Sequence, residues 1–303
     1  MIRAEKVLRI DMTVVKLLFP LFLCTVLSPV MALDLNPERI PWKKLQFSAS
    51  FLFVSATADV SWEPIDKQRV NKVLLPVDKG VPITEQPLFY MTLESRAFNR
   101  NSQVKFWFQQ DATALQREQL DWGKRQRLKT YRFATDKAQA IQWTPLESEA
   151  ELAPEKWSRK ETFQFKYPKV ARGIPITDNA ALFYVISAAN LRQVGDSLVI
   201  HSFGKQTVNK ITIRVAAEVY LEVNYKKRTQ SALRFVEEET TALELRLEIV
   251  PLGEEADEGF EFLGLKDDVR IYLEKSNLVP LRISGKVDYL GWTAVDMVEV
   301  EMR

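Results

Sequence analysis

Histidine and cysteine are almost absent from this sequence of 303 residues, which contains one of each. Zinc sites usually combine several His or Cys ligands, and a Ser–His–Asp triad needs a histidine base close to its serine. The sequence also lacks a Walker loop and the patterns G-x-S-x-G and H-E-x-x-H. We therefore predict that the protein is not an enzyme, with no catalytic, metal-binding or cofactor-binding residues and no cofactor; a carboxylate pair is the catalytic arrangement left open. The single histidine, His201, lies in a predicted strand, where we expect a structural role.

An excess of charge of one sign is also missing. The sequence has 42 Lys and Arg residues against 40 Asp and Glu residues, and residues 1–32 hold four of the bases and two of the acids. The remaining residues therefore carry equal numbers of positive and negative side chains. Because nucleic-acid binding depends on Lys and Arg neutralising phosphates, we expect no nucleic-acid partner. The hydrophobic fraction of 46% and the charged fraction of 27% are typical of a globular protein.

The only long apolar run, residues 17–27, is too short for a membrane helix, which needs about 20 residues. Basic residues precede this run, and Val30 and Ala32 follow it at the minus-three and minus-one positions of a cleavage site. We therefore predict a signal peptide over residues 1–32, cleaved after Ala32, and a single β-rich periplasmic domain over residues 33–303. The alternatives are an uncleaved N-terminal anchor and a start at Met12. No transmembrane span is expected in the mature chain.

Cys24 lies inside the apolar run and follows Leu23, where a lipoprotein signal would have a small residue. The mature chain is therefore expected to contain no cysteine and no disulfide. A chain of this length is able to bury a core large enough to be stable without disulfides.

Alternation of apolar and polar residues is the dominant pattern of the mature chain. It is clearest over residues 211–225, where every odd position is apolar or aromatic. Because alternate side chains of a strand face opposite sides, this pattern predicts a long strand with one dry and one wet face. A strand of that length must bend, and Ala216 and Ala217 are the expected place.

Several other segments show the same period of two. Further strands are predicted at residues 45–62, 88–97, 104–108, 127–133, 197–203, 243–249, 269–273, 281–283 and 298–302. The last hundred residues are therefore expected to form an antiparallel meander. The fold class that follows is mostly β, as a large curved antiparallel sheet or a partly open β-barrel with one or two short helices. Residues 168–175 are the best linker candidate, but one continuous sheet is favoured over two domains.

Two segments have helical features. Asp178 is a good N-cap for residues 179–190, in which apolar side chains form one stripe. Residues 111–123 are predicted as a short surface helix, capped by Asp111 and ended by Gly123.

Clusters of charge and aromatic residues are the remaining candidates for binding. Two basic clusters, residues 226–228 and the group Lys124, Arg125, Arg127 and Lys129, either face anionic lipid headgroups or glycan phosphates or are solvated turn residues. Residues 254–258 form an acidic loop whose spacing does not match a calcium loop. Six tryptophans lie in the first half of the chain, where they pack in the core or line a pocket: Trp42, Trp62, Trp107, Trp122, Trp143 and Trp157.

The order of strand and turn residues resembles a bacterial exported family catalogued as domain of unknown function 3108. The segments that carry the resemblance are residues 47–54, 57–62, 176–178, 194–197, 267–273 and 278–283, and Gly291. The resemblance implies a periplasmic, mostly β protein, and it supplies no catalytic residues.

A concave sheet face with little helix to cover it favours a binding protein. We expect a non-catalytic periplasmic protein that binds a lipid or other amphiphilic envelope ligand in the concave face. The alternative is a structural or assembly module of the cell envelope that binds another protein through its sheet. An outer-membrane barrel is disfavoured because the last hundred residues contain few of the aromatic side chains that form its girdles. The residues that contact a ligand are not predicted.

Overall fold

The computed structural model describes residues 33–51, 54–97, 100–123, 126–204, 206–253, 260–287 and 291–303. The predicted signal peptide and the acidic loop lie outside these residues. Leu33–Arg303 forms one compact unit. The strands and helices are β1 (Trp42–Phe51), β2 (Val54–Ile65), α1 (Lys67–Val73), β3 (Leu88–Ala97), β4 (Arg100–Gln109), β5 (Ala114–Gly123), β6 (Arg127–Phe133), β7 (Lys137–Thr144), β8 (Arg159–Lys166), β9 (Thr177–Asp178), α2 (Leu182–Ala188), β10 (Ser197–Phe203), β11 (Val208–Arg228), β12 (Leu233–Pro251), β13 (Lys266–Glu274), β14 (Pro280–Val287) and β15 (Gly291–Met302).

All the strands belong to one sheet, which confirms the predicted fold class. Its order runs from β8 back to β1, continues through β15 back to β10, and ends at the two-residue strand β9. Most neighbours are antiparallel; β9 pairs in parallel with β10. The end of β11 also pairs in parallel with β15, at Lys226↔Glu299 to Arg228↔Glu301. This second pairing closes β11 to β15 into a partial ring of five strands, which the predicted meander does not include.

The helix α2 fills the inner side of the curved sheet. Every residue from Leu182 to Ala188 is buried, so the helix is buried on all sides rather than along one stripe. Asp178 caps the turn before it, as predicted, by accepting a hydrogen bond from the Ala180 N–H at 3.0 Å. The Tyr184 ring packs against Trp62, Phe89 and Phe108 with centroids 4.8 to 6.0 Å apart. The helix therefore covers the aromatic part of the concave face.

The predicted helix over residues 111–123 is wrong. Ala114–Gly123 is the strand β5, which pairs with β4 on one side and β6 on the other. Its Ala, Leu, Gln, Arg and Glu residues favour a helix locally, but hydrogen bonding to two neighbouring strands outweighs that preference. A second difference is α1, a short helix capped by the Asp66 side chain that we did not predict.

The bend in β11 lies where it is expected, but its consequence differs from the prediction. The register with β12 shifts between Val215↔Leu245 and Ala217↔Glu244, which marks a β-bulge. A one-residue shift moves all later side chains to the other face. The odd residues of 211–225 therefore do not share one face. Those before the bulge enter the main core, and those after it face the ring.

No helix of the described residues is long and apolar enough to cross a membrane.

Candidate functional site

The inner face of β3 to β8 changes from apolar to polar along the strands. The register aligns Met91, Phe106, Arg117, Tyr131, Ala140 and Phe163 in one row across the sheet. The next row, two residues away on each strand, holds Leu93, Val104, Gln119, Lys129, Gln142 and Glu161. Because alternate residues share a face, both rows lie on the side that carries the core. The inner face therefore presents a largely apolar band, which includes Arg117, beside a largely polar band. The Tyr184 ring of α2 packs on Phe89 and Phe108, which lie two residues from Met91 and Phe106 on the side away from the polar band.

Lys129 lies where the two bands meet. Its ammonium nitrogen is 4.8 Å from the centroid of Tyr131, 5.4 Å from that of Phe163 and 5.6 Å from that of Phe165. A cation within about 6 Å of an aromatic centroid is attracted by the ring. Lys129 forms no ion pair with a described carboxylate, so its charge remains available to an anion.

The edge strand β8 supplies the accessible aromatic surface. Phe163 is 36% exposed, and its ring stacks on that of Phe165 with centroids 6.4 Å apart. Phe165 in turn contacts the buried Phe203 at 5.8 Å. Arg159 lies on the same face of β8 and is also exposed. Lys129, Arg159, Phe163 and Phe165, together with Arg127, are called the concave rim below.

Arg127 is held by a polar network in the outermost row. Its Nε donates to Asp121 Oδ2 at 2.5 Å, and Asp121 Oδ1 accepts from Ser102 Oγ at 2.7 Å and from Gln119 Nε2 at 3.0 Å. A carboxylate with three donors is well satisfied, so it holds Arg127 in place. The neighbouring Lys124 and Arg125 of this predicted basic cluster lie outside the described residues.

A buried ion pair links β5 to the turn that precedes α2. Arg117 Nη1 donates to Asp178 Oδ2 at 2.7 Å, with side chains 11% and 1% exposed. The Arg117 guanidinium also lies 4.1 Å from the Tyr131 centroid. Burial lowers the pKa of Arg117, but Asp178 and Tyr131 outweigh burial and raise it overall. Arg117 therefore stays charged and links β5 to the capped turn that precedes α2.

Other side chains that the sequence singles out lie elsewhere. His201 is half-buried on β10 opposite Lys210, and burial and that lysine lower its pKa. Arg228 is paired with Glu299 at 3.0 Å, so the basic cluster at residues 226–228 closes the ring. Trp42 is fully buried and donates to Ser187 Oγ at 3.1 Å. Among the described ranges, no group of three or more His, Cys, Asp or Glu side chains is placed to hold a metal ion.

No protein-family model, no curated protein and no solved structure matches this chain. Membership of the family that the sequence resembles therefore stays a prediction.

Sequence analysis identified only part of the concave rim. It singled out Arg127 and Lys129 as basic residues, but it did not bring them together with Phe163 and Phe165. Their contact depends on the pairing of β6, β7 and β8, across loops that carry no pattern of their own. The alternation of aromatic and charged residues in 159–166 is the signal that sequence analysis missed.

Proposed function

We propose that this protein is a non-catalytic, exported protein of the periplasm that binds an anionic amphiphile at the concave rim. The observation that carries the proposal is the position of Lys129 over three aromatic rings, one of which is exposed. An anionic headgroup would lie against Lys129, Arg159 and Arg127, and an alkyl chain against Phe163 and Phe165. Charge-assisted hydrogen bonds from Lys or Arg to phosphate or carboxylate are among the strongest that side chains form.

The deep part of the concave face is not the proposed site. α2 and Phe203 fill it, and their side chains are 0% exposed. The ligand is therefore expected to lie at the open rim, with its chain only partly covered.

Titration calorimetry with dodecyl phosphate, below its micelle concentration, tests the proposal. Lys129→Ala should weaken binding about tenfold, equivalent to ~1.4 kcal/mol. Lys160→Ala is the matched control: Lys160 lies on the same strand as Phe163 but faces the other side, over Trp143. Equal binding by wild type and Lys129→Ala, or an equal loss in both variants, would contradict the proposal. Dodecyl maltoside replaces the anionic headgroup with a neutral one and should bind more weakly.

A second candidate function, binding of another protein through the sheet, is favoured by the hairpin of β11 and β12. Tyr220 is 77% and Phe235 74% exposed, and both lie on its outer face, because Tyr220 pairs with Thr241 and Lys226 with Phe235. Exposed aromatic side chains often mark protein interfaces.

Cross-linking in intact cells, followed by purification, distinguishes this candidate. A reproducible partner that is captured by wild type and lost in Tyr220→Ser/Phe235→Ser would support it. Retention of that partner by the double variant would exclude this face. Lys129→Ala serves as the control for the other site and should keep the partner.

A further inference from the structure

The sheet ends at β8, and the outer edge of this strand pairs with no other described strand. Its eight residues pair only with β7, in a register without a bulge from Lys137↔Lys166 to Thr144↔Arg159. All of them except Phe165 are exposed. At the other end of the sheet, β10 has at least a short neighbour in β9. β8 is therefore a regular edge strand that lies open to solvent.

The free edge carries main-chain donors and acceptors at every second residue. The Tyr167 N–H, which continues the register of β8, donates to the Asp136 carbonyl at 2.8 Å. In an antiparallel pair, residues that bond to one neighbour alternate with residues that point away from it. The odd-numbered residues of β8 therefore bond to β7, and the even-numbered ones direct their N–H and C=O groups outward: Lys160, Thr162, Gln164 and Lys166. Such a row of unpaired groups is a template for another strand.

Unpaired positive charge is concentrated on the same edge. Residues 156–172 contain six basic residues and one acidic residue, Glu161, although residues 33–303 as a whole carry equal numbers of both signs. The six basic side chains are all exposed, and none forms an ion pair with a described carboxylate: Lys156, Arg159, Lys160, Lys166, Lys169 and Arg172. The edge therefore offers positive charge that no described part of the chain neutralises.

These charges decide which strand fits the edge. Edge strands are protected from unspecific pairing by proline, bulges, a covering segment or charged side chains, and β8 has only the charged side chains. A second copy of β8 would bring two sets of cations together, and like charges on neighbouring strands are destabilising. A segment rich in Asp and Glu avoids this repulsion and forms charge-assisted hydrogen bonds with Lys and Arg. We propose that β8 binds an extended, acidic segment of another protein, which adds to the sheet as a further strand.

Strand addition at β8 rests on the second candidate function, binding of another protein through the sheet, but it uses a different surface. It requires neither Tyr220 nor Phe235 of the β11–β12 hairpin. It also differs from amphiphile binding at the concave rim. The rim uses the side chains of Phe163 and Phe165, whereas strand addition uses the outward main-chain groups of the residues between them and beside them.

Fluorescence anisotropy with a labelled octapeptide of alternating valine and glutamate tests the proposal on residues 33–303, which form one compact unit. Thr162→Pro removes one outward N–H and places a ring on the edge, where proline is tolerated in a strand. It should weaken binding about tenfold, because one hydrogen bond is lost and the approach of the peptide is blocked. Thr162→Val is the matched control, since it keeps the N–H and a branched side chain, and it should bind as wild type does.

Two further measurements separate main-chain pairing from attraction between charges. Lys160→Glu/Lys166→Glu leaves the main chain unchanged and should also weaken binding about tenfold. The octapeptide should slow hydrogen exchange in residues 159–166, measured by mass spectrometry. The same peptide methylated at every main-chain nitrogen keeps its carboxylates but has no N–H to donate, and it should neither bind comparably nor slow exchange.

Four outcomes would overturn the proposal. They are no binding of the octapeptide, equal binding of its methylated form, equal affinities of Thr162→Pro and Thr162→Val, and binding to phosphatidylglycerol vesicles alone, which would assign the cations to a lipid surface. Circular dichroism shows whether each variant is folded, and the lysine variant keeps the test decisive if Thr162→Pro does not fold. Tyr220→Ser/Phe235→Ser should bind the octapeptide as wild type does, so failure at β8 is distinguishable from failure at the hairpin.

Discussion

Removal of the Asp178 carboxylate tests how the core of this protein is fixed. Asp178 accepts a hydrogen bond from Arg117 at 2.7 Å and one from the Ala180 N–H at 3.0 Å, and its side chain is 1% exposed. It therefore has two roles, as the partner of a buried guanidinium and as the cap of the turn that begins the buried helical segment. Asp178→Ala removes both, and Asp178→Asn removes the charge but keeps an oxygen for the cap.

The expected losses in the free energy of unfolding follow from the burial of Asp178. Loss of one partner of a buried ion pair costs about 3–5 kcal/mol, because it leaves an uncompensated charge. Loss of an N-cap costs about 1 kcal/mol more. We expect Asp178→Asn to lower the free energy of unfolding by about 3 kcal/mol and Asp178→Ala by about 4–5 kcal/mol. This is a large part of the 5–15 kcal/mol of stability that is typical of a domain.

Urea unfolding followed by circular dichroism measures these values. The control is Glu85→Ala, which removes an ion pair to Lys67 whose side chains are 98% and 49% exposed, and it should cost at most about 1 kcal/mol. Replacement of both buried partners, as Arg117→Met/Asp178→Leu, should cost less than Asp178→Ala, because no buried charge is left. A loss below about 1 kcal/mol in Asp178→Ala would refute the reasoning.

Three further predictions concern other buried groups. Burial and two nearby glutamates raise the pKa of Tyr225 to about 12 from 10.0; the resulting stabilisation is complete below pH 10 and is lost as pH rises towards 12, a loss that Tyr225→Phe should not show. Tyr220→Phe, at an exposed position, should show no such change in urea unfolding with pH. Tyr184→Phe removes the hydrogen bond to the Gln110 carbonyl at 2.8 Å and should lower the unfolding free energy by about 1 kcal/mol. Gly285→Ala should lower the melting temperature, because its Cβ would lie 3.1 Å from a main-chain oxygen and overpacking costs about 1–3 kcal/mol.

Local patterns predict most strands of this fold. The bounds of β3, β6 and β10 agree with the predicted residues 88–97, 127–133 and 197–203. The alternation of apolar and polar residues is a local property of the sequence, so it can be recognised without knowing the partner strand. The strand β5 was predicted as a helix instead. Its long polar side chains are tolerated on both faces of the sheet and favour a helix locally.

Features that depend on distant pairing are not predictable in this way. The bulge in β11 was predicted from the length of the strand, but the ring requires residues 226–228 to meet β15, more than 70 positions later. The complete burial of α2 likewise requires the sheet to curve around it. The concave rim has the same origin, since Lys129 and Phe163 meet only through β7.

The length of a bound alkyl chain distinguishes an open rim from an enclosed cavity. Each buried methylene contributes about 0.8 kcal/mol, roughly a fourfold gain in affinity. At the concave rim the chain contacts Phe163 and Phe165, whose centroids are 6.4 Å apart, and inward extension is blocked by the buried Phe203. We therefore expect affinity for hexyl, octyl, decyl and dodecyl phosphate to rise at first and then to level off. A steep rise that continues to dodecyl phosphate would mean that the chain enters an enclosed apolar space, which requires α2 to move from the inner face.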